Sequence, residues 1–255
     1  MPNFVFSFQE FLTENEVFEG TNRTDKRLSD EGQEEYNKLK IESLKKQIDL
    51  CKKHKVKCFV DFGSLLGLYR DGKLIKHDND TDVAILGETV TKEFLEDIEK
   101  EFILQRPTKM SSLINKMFVS DENADDYHQI PYVGLALKGK DGKPVEVSSM
   151  AKKKIGVPGD FFFYYPYSDG KRITRYPGWE VQLVPGKHFD KLGSLKHDGY
   201  DFPIPSDPEG YLAYVYGKDW KTPKSNSGMN DDCEFISRKE GQDYLYSIKD
   251  GKFKK

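Results

Sequence analysis

The chain has 255 residues, of which 36% are hydrophobic and 13% aromatic, enough apolar content for one folded domain of ordinary size. Its 40 basic and 43 acidic residues give a net charge of -3, so the charge balance excludes the strongly basic footprint of a nucleic-acid-binding protein. The sequence has neither an apolar run of about 18 residues, the length of a membrane span, nor a secretion signal at its start. A cytoplasmic protein without a membrane span is therefore expected.

The first half of the chain predicts alternating helices and strands. Residues 1–28 carry no apolar period and are expected to form an N-terminal arm. Apolar residues then recur three or four positions apart, which predicts an amphipathic helix over residues 30–54. Residues 58–62 predict a short strand, and residues 65–70 predict a helix that follows a Gly-Ser turn directly.

Further strands follow this second helix. Residues 81–86 predict a strand and residues 90–102 an amphipathic helix. Three more extended segments are predicted at residues 114–119, 130–137 and 144–150. This order predicts an α+β (mixed α/β) fold in which helices pack on a mixed sheet, because regular strand–helix–strand repeats are missing.

The second half is aromatic and rich in Pro and Gly. An aromatic block at residues 161–167 is expected to lie in hairpins and loops that cover one end of the sheet. A capping residue followed by an early proline predicts a short helix over residues 211–216. The domain is therefore expected to cover residues 29–223, and the polar residues 224–255 are expected to form a C-terminal tail.

The Gly-Ser turn has the properties of a phosphate-binding site. Gly63 and Ser64 lie between a predicted strand and a predicted helix, where backbone N–H groups and the helix dipole favour an anion. Arg70, at the end of that helix, is the preferred partner for phosphate charge, and Lys73 and Lys76 are alternatives.

An alternating row of acids follows. Asp80 and Asp82 share one face of the predicted strand, and Asp78 joins them from the strand entry. Crowded carboxylates of this kind suit Mg²⁺ or Mn²⁺. Glu146 is the one carboxylate within its apolar extended run, a costly position without a partner. We therefore predict that Asp80, Asp82 and Glu146 bind the metal, and that Asp78 or Glu146 removes the proton of an acceptor.

These motifs resemble the LicD family, which includes fukutin-related proteins, within the nucleotidyltransferase-fold superfamily. The family pattern has a Gly-Ser-Leu-Leu-Gly-x-x-Arg turn and helix, as at residues 63–70, and then spaced acids, as at residues 78–82. A later strand carries an acid, which Glu146 matches in place of the commoner Asp, and a Pro, Tyr-Leu and Tyr-Gly pattern is similar to residues 202–217. The resemblance spans residues 35–223.

The resemblance implies a nucleotidyltransferase-like sheet and a metal-dependent enzyme. Members of the family transfer a phospho-alcohol, such as phosphocholine or a polyol phosphate, from a CDP-linked donor to a sugar hydroxyl. The partners it implies are thus a CDP-alcohol and a glycan or sugar acceptor, and Gly63, Ser64 and Arg70 are the residues expected to contact the donor.

Two alternatives remain open from the sequence. One is a nucleotidylyltransferase that moves the NMP group to a small hydroxylated acceptor. The other is a non-catalytic glycan-binding or virion-packaged module. Residues 6–14 resemble the short delivery peptides of some tailed-bacteriophage capsid-internal proteins, which would imply a phage-encoded, virion-associated protein. The same residues are also compatible with an ordinary amphipathic arm.

Overall fold

A computed structural model gives the fold. It describes residues 28–76, 78–104, 132–150, 152, 154–175, 181–224, 230, 232–237, 240–241 and 244. The predicted strand over residues 114–119 and nearly all of the predicted arm, including residues 6–14, lie outside these ranges. No helix within the described ranges has the length and apolar character to cross a bilayer.

Four α-helices are described from their first to their last residue, and all four were expected from apolar spacing and end signals. All four begin at a side-chain cap that accepts a backbone N–H: Ser29 from Gly32, Asp61 from Phe62, Thr91 from Phe94 and Asp207 from Gly210. The second helix ends at Gly72, which adopts the left-handed conformation. The helices are α1 Asp30–Lys53, α2 Phe62–Asp71, α3 Lys92–Glu101 and α4 Pro208–Tyr216.

Twelve β-strands form within the described residues. Their order along the chain is β1 Cys58–Val60, β2 Asp82–Leu86, β3 Phe102–Leu104, β4 Tyr132–Leu137, β5 Glu146–Ser148, β6 Lys154–Gly156, β7 Pro158–Pro166, β8 Lys171–Arg175, β9 Val181–Pro185, β10 Leu192–His197, β11 Tyr200–Pro205 and β12 Glu234–Ile236. Eight of them form one mixed sheet, in which β7 runs parallel to β2 and antiparallel to β4 and β8. Strands β1 and β3 pair with β2 and β4, and β8 continues to β9 and β12.

The predicted α+β fold with a mixed sheet and a hairpin-rich C-terminal part is confirmed, but the aromatic block has a different position within it. The block was expected in covering hairpins, but its residues 161–166 form most of β7, an inner strand of the sheet. The ring of Phe161 lies 5.8 Å from that of Phe94 on α3, and the ring of Phe162 lies 4.8 Å from that of Phe62 on α2. A strand buried on both faces has a continuous apolar sequence, so alternation does not identify it.

The two small sheets and the chain end complete the fold. Strands β10 and β11 form a hairpin, and β5 and β6 form another that packs on the first turns of α1. Strand β12 pairs with β9, and the ring of Tyr244 lies 4.4 Å from that of Tyr167. Part of the segment predicted as a tail, residues 224–255, therefore belongs to the folded unit. The three cysteines are buried free thiols.

Candidate functional site

The three aspartates expected to converge do so at one edge of the sheet. The segment 78–82, called here the acid loop, leads into β2, and carboxylate oxygens of Asp78, Asp80 and Asp82 all lie within 4.8 Å of one another. Asp82 is 7% exposed, whereas the other two are half-buried. The acid loop thus directs three hard oxygen ligands to one point.

The Gly-Ser turn lies against these acids. A Cβ atom at Gly63 would overlap Oδ2 of Asp78 and lie 3.7 Å from Oδ2 of Asp82, so only glycine allows the start of α2 to approach this closely. The buried Ser64 accepts a hydrogen bond from the backbone N–H of Asp82 at 3.0 Å. The start of α2 and the acid loop are therefore one structural unit.

A fourth carboxylate, Asp160, was not identified from the sequence. It lies on β7 directly opposite Asp82 of β2 in the parallel register, and it is 8% exposed. Its negative charge contributes to raising the pKa of Asp82. We call Asp78, Asp80, Asp82 and Asp160 together the acid edge. The sequence signal for Asp160 is its position near the start of a long aromatic strand. That signal alone does not place Asp160 next to Asp82, because the placement depends on the pairing of β7 with β2.

Burial and like charge dominate the electrostatics of the acid edge. Burial, followed by the charge of Asp80, raises the pKa of Asp78 to about 8. Burial also raises the pKa of Asp82 well above its usual range, with added contributions from Asp80, Asp78, Asp160 and Asp61. A nearby cation stabilises the charged form of carboxylates in such an environment.

The donor set fits a hard divalent cation. The converging ligand atoms of the acid loop are all carboxylate oxygens, which suits Mg²⁺ or Mn²⁺ and not a softer metal that prefers sulfur or imidazole.

The structure does not bring Glu146 to this site. Glu146 lies on the β5–β6 hairpin, opposite Gly156, and its carboxylate pairs with Lys154 Nζ at 3.1 Å. Its cost of burial, which motivated its choice as a ligand, does not arise because the residue is exposed. The expected acid on a neighbouring strand exists, but Asp160 occupies that position.

Arg70 is also placed away from the acids. Its guanidinium forms a bidentate ion pair with Asp71, with distances of 2.7 and 2.8 Å, and it donates to the carbonyl of Trp220 at 3.4 Å. Arg70 is at the C-terminal end of α2, while Gly63 lies in its first turn, about 10 Å away at 1.5 Å per residue. The observed role of Arg70 is to connect α2 with the segment after α4.

Behind the Gly-Ser turn lies a buried carboxylate that sequence patterns did not indicate. Asp61 is fully buried and caps α2. It accepts hydrogen bonds from the hydroxyls of Tyr164 at 2.7 Å and Tyr211 at 2.6 Å. Burial raises its pKa to about 6, although these hydrogen bonds lower it. Tyr211 belongs to the Tyr-Leu motif near the C-terminus, so this contact explains how that distant motif connects to the start of α2.

Polar residues of α1 support the acid loop from the other side. Lys40, which is fully buried, donates to the carbonyl of Asp78 at 2.7 Å. Tyr36 donates to the carbonyl of Asn79 at 2.6 Å. Burial lowers the pKa of Lys40, and the aspartates of the acid loop oppose this shift.

The mixed sheet, the helix that starts at a Gly-Ser turn and the acids on two adjacent strands form the arrangement of a nucleotidyltransferase-type domain. Residues 55–207 match the family model described as "LicD/FKTN/FKRP, nucleotidyltransferase domain". Since this match covers more than half of the chain, the chain belongs to the LicD family.

Comparison with individual proteins gives a distant structural likeness. No curated protein matches the sequence significantly. Among solved structures, the chain is similar to a lincosamide antibiotic adenylyltransferase with lincomycin bound. The alignment has 11% sequence identity and a TM-score of 0.37, and it covers 87% of this chain and 99% of that one.

Proposed function

We propose that the protein is a metal-dependent transferase that moves a phospho-alcohol from a CDP-linked donor to a sugar hydroxyl. The observation that carries this proposal is the convergence of Asp78, Asp80 and Asp82 beside Gly63 in the first turn of α2, with Asp160 opposite Asp82 on the adjacent parallel strand. Membership in the LicD family supports the same class of reaction.

We assign the metal ligands to the acid edge itself. Asp80, Asp82 and Asp160 would hold one or two Mg²⁺ or Mn²⁺ ions. A divalent cation bound here would offset the negative charge of the donor diphosphate, including the charge that develops on it during transfer. Glu146, paired with Lys154 on a separate hairpin, is left out of this assignment.

The residues of the chain itself would position the donor and move the proton. The first turn of α2, at Gly63 and Ser64, would receive a phosphate oxygen, because N–H groups at a helix start lack partners within the helix. Asp78 is the proposed general base, because its carboxylate lies within 4.8 Å of those of Asp80 and Asp82 and next to Gly63 in the first turn of α2, where an acceptor hydroxyl would approach the donor phosphate.

The first test separates the candidate reactions by their products. The purified protein is incubated with Mg²⁺, a set of sugars, and CDP-choline, CDP-ribitol or CTP, and the products are analysed by mass spectrometry. The proposed function predicts CMP release together with a phosphodiester-modified sugar. Pyrophosphate release from CTP would instead identify a nucleotidylyltransferase.

A variant connects this activity to the acid edge. Asp82→Asn removes one charge from the buried ligand set and should abolish measurable turnover. Lys38→Met is the matched control, because Lys38 is exposed on α1 and pairs only with Glu34 among the described residues. Full turnover in Asp82→Asn would overturn the assignment. Absence of both turnover and Mg²⁺-dependent thermal stabilisation by CDP or CTP would favour a non-catalytic binding module.

A further inference from the structure

Lys40 is an unusual residue on an otherwise ordinary amphipathic helix. Lys38, two positions earlier on the solvent side of α1, forms an exposed ion pair with Glu34 at 2.8 Å, but Lys40 is 0% exposed. A buried lysine is costly unless its donors are satisfied. The Lys40 ammonium donates to the backbone carbonyls of Asp78 at 2.7 Å and Ile75 at 3.5 Å.

The carbonyl contacts of Lys40 leave the acid loop free to bind a cation. Among the described residues, Lys40 forms no salt bridge with a carboxylate, although Asp78 supplies one of its carbonyl partners. An ion pair would occupy a carboxylate oxygen, whereas a bond to the main chain fixes the loop and keeps the side-chain oxygens available.

A second contact fixes the next peptide group. Tyr36, one turn before Lys40, donates its hydroxyl to the carbonyl of Asn79 at 2.6 Å, and the Lys40 ammonium lies 5.5 Å from the centre of the Tyr36 ring. Two consecutive carbonyls are therefore held by two adjacent turns of one helix. Holding these peptide planes sets the directions in which the side chains of Asp78 and Asp80 leave the main chain.

The far end of the acid loop is held in the same way. Gln47, further along the same helix, donates to Thr81 Oγ1 at 2.9 Å. A Cβ atom at Gly159 would overlap Gln47 Nε2, so glycine at this position lets α1 approach β7 next to Asp160. One face of α1 thus contacts both strands of the acid edge.

We propose that Lys40 and Tyr36 are positioning residues that hold the main chain of the acid loop by its carbonyl oxygens, so that its carboxylates stay converged before a metal binds. This inference rests on the proposed function for the identity of the ligand. Residues that orient metal ligands typically change metal affinity by about 10- to 100-fold when they are replaced.

The test compares Mn²⁺ binding by calorimetry in wild type, Lys40→Met and Tyr36→Phe. We expect the dissociation constant to rise about 10- to 100-fold in Lys40→Met and about three- to ten-fold in Tyr36→Phe, which loses a single hydrogen bond. Leu44→Ala is the control for a merely structural effect, because Leu44 is a fully buried apolar residue of the same helix. It should lower the melting temperature and leave Mn²⁺ affinity within about two-fold.

A second measurement does not require a metal. Hydrogen exchange of the metal-free protein should become faster at residues 78–82 in Lys40→Met, while Leu44→Ala should accelerate exchange more evenly over the core. Unchanged Mn²⁺ affinity and unchanged exchange in both positioning variants would overturn the inference. If Lys40→Met does not fold, the Mn²⁺ affinity and hydrogen exchange of Tyr36→Phe alone test the inference. A wild-type protein that binds no Mn²⁺ would contradict the proposed metal site, and the exchange experiment would still test the contacts of Lys40 and Tyr36 with the acid loop.

Discussion

Two carboxylates, Asp160 and Glu146, lie on neighbouring stretches of the chain and have opposite surroundings. Asp160 is 8% exposed and lies opposite Asp82, near the starts of the inner strands β7 and β2 of the main sheet. Glu146 is exposed on a two-stranded sheet and pairs with Lys154. Only the first carries the cost of crowded, buried charge that a cation can relieve. The comparison shows that the sheet to which a strand belongs, more than its apolar neighbours in sequence, decides what an acidic residue can do.

The largest effect is expected at Asp160. We expect Asp160→Asn to reduce Mn²⁺ affinity and turnover by at least about 100-fold, because loss of a direct ligand should exceed the loss of an outer partner. Calorimetry and steady-state kinetics measure the two quantities. If Asp160→Asn keeps the wild-type Mn²⁺ affinity and turnover, Asp160 is not a metal ligand and does not differ from Glu146 in this respect.

A pH dependence should follow from the buried carboxylates. Their pKa values are raised in the folded state, to about 6 for Asp61 and about 8 for Asp78. The folded protein therefore binds more protons than the unfolded chain, and stability is lost as pH rises from about 4 to 8. For Asp61 alone, the shift from 3.8 to about 6 corresponds to about 3 kcal/mol.

Thermal melts in EDTA between pH 5 and pH 8 measure this loss. Saturating Mg²⁺ should restore stability more at pH 8 than at pH 5, because cation binding displaces protons from the carboxylates. A melting temperature that does not fall across this range in EDTA would show that the acid edge does not carry the crowded charge described here.

A smaller effect is expected at Asp61, a buried carboxylate that accepts hydrogen bonds from two tyrosine hydroxyls. Tyr211→Phe removes one of the two hydroxyl donors to Asp61 and should lower the free energy of unfolding by about 1–3 kcal/mol. Urea unfolding measures this value. When Asp61→Asn is already present, Tyr211→Phe should lower the free energy of unfolding by less. An equal loss with and without Asp61→Asn would exclude an energetic coupling between Tyr211 and Asp61.

The smallest effect is expected at Glu146. Glu146→Gln removes an exposed ion pair with Lys154, and such pairs contribute about 0–1 kcal/mol. Turnover and Mn²⁺ affinity should stay within about two-fold of the wild-type values. A large loss of Mn²⁺ affinity would return Glu146 to the ligand set and reverse the comparison.

Much of the fold was predictable because its signals are local. The apolar spacing of α1, the short β1 strand and the Gly-Ser turn into α2 are all features of short sequence windows. The convergence of Asp78, Asp80 and Asp82 was also predicted from a short window, although Asp78 and Asp80 lie in the loop before β2 and not on one face of the strand.

The remaining parts depend on pairing between distant segments. Asp160 gains its position from the parallel register of β7 with β2, which no short window contains. Arg70 was expected at a phosphate, but the neighbouring Asp71 and the carbonyl of Trp220 take its donors. The tyrosine pair at Asp61 likewise requires α4 to return to the start of α2.

The parallel pairing of β2 with β7 affects when the acid edge can form during synthesis of the chain. The acid loop leaves the ribosome well before β7 and α4, so its carboxylates stay exposed to solvent until these later segments have been synthesised. Contacts between such distant segments close large loops and form slowly. The proposed cation site can therefore be complete only after β7 has been synthesised, and a fragment that stops before β7 would hold the acid loop without Asp160.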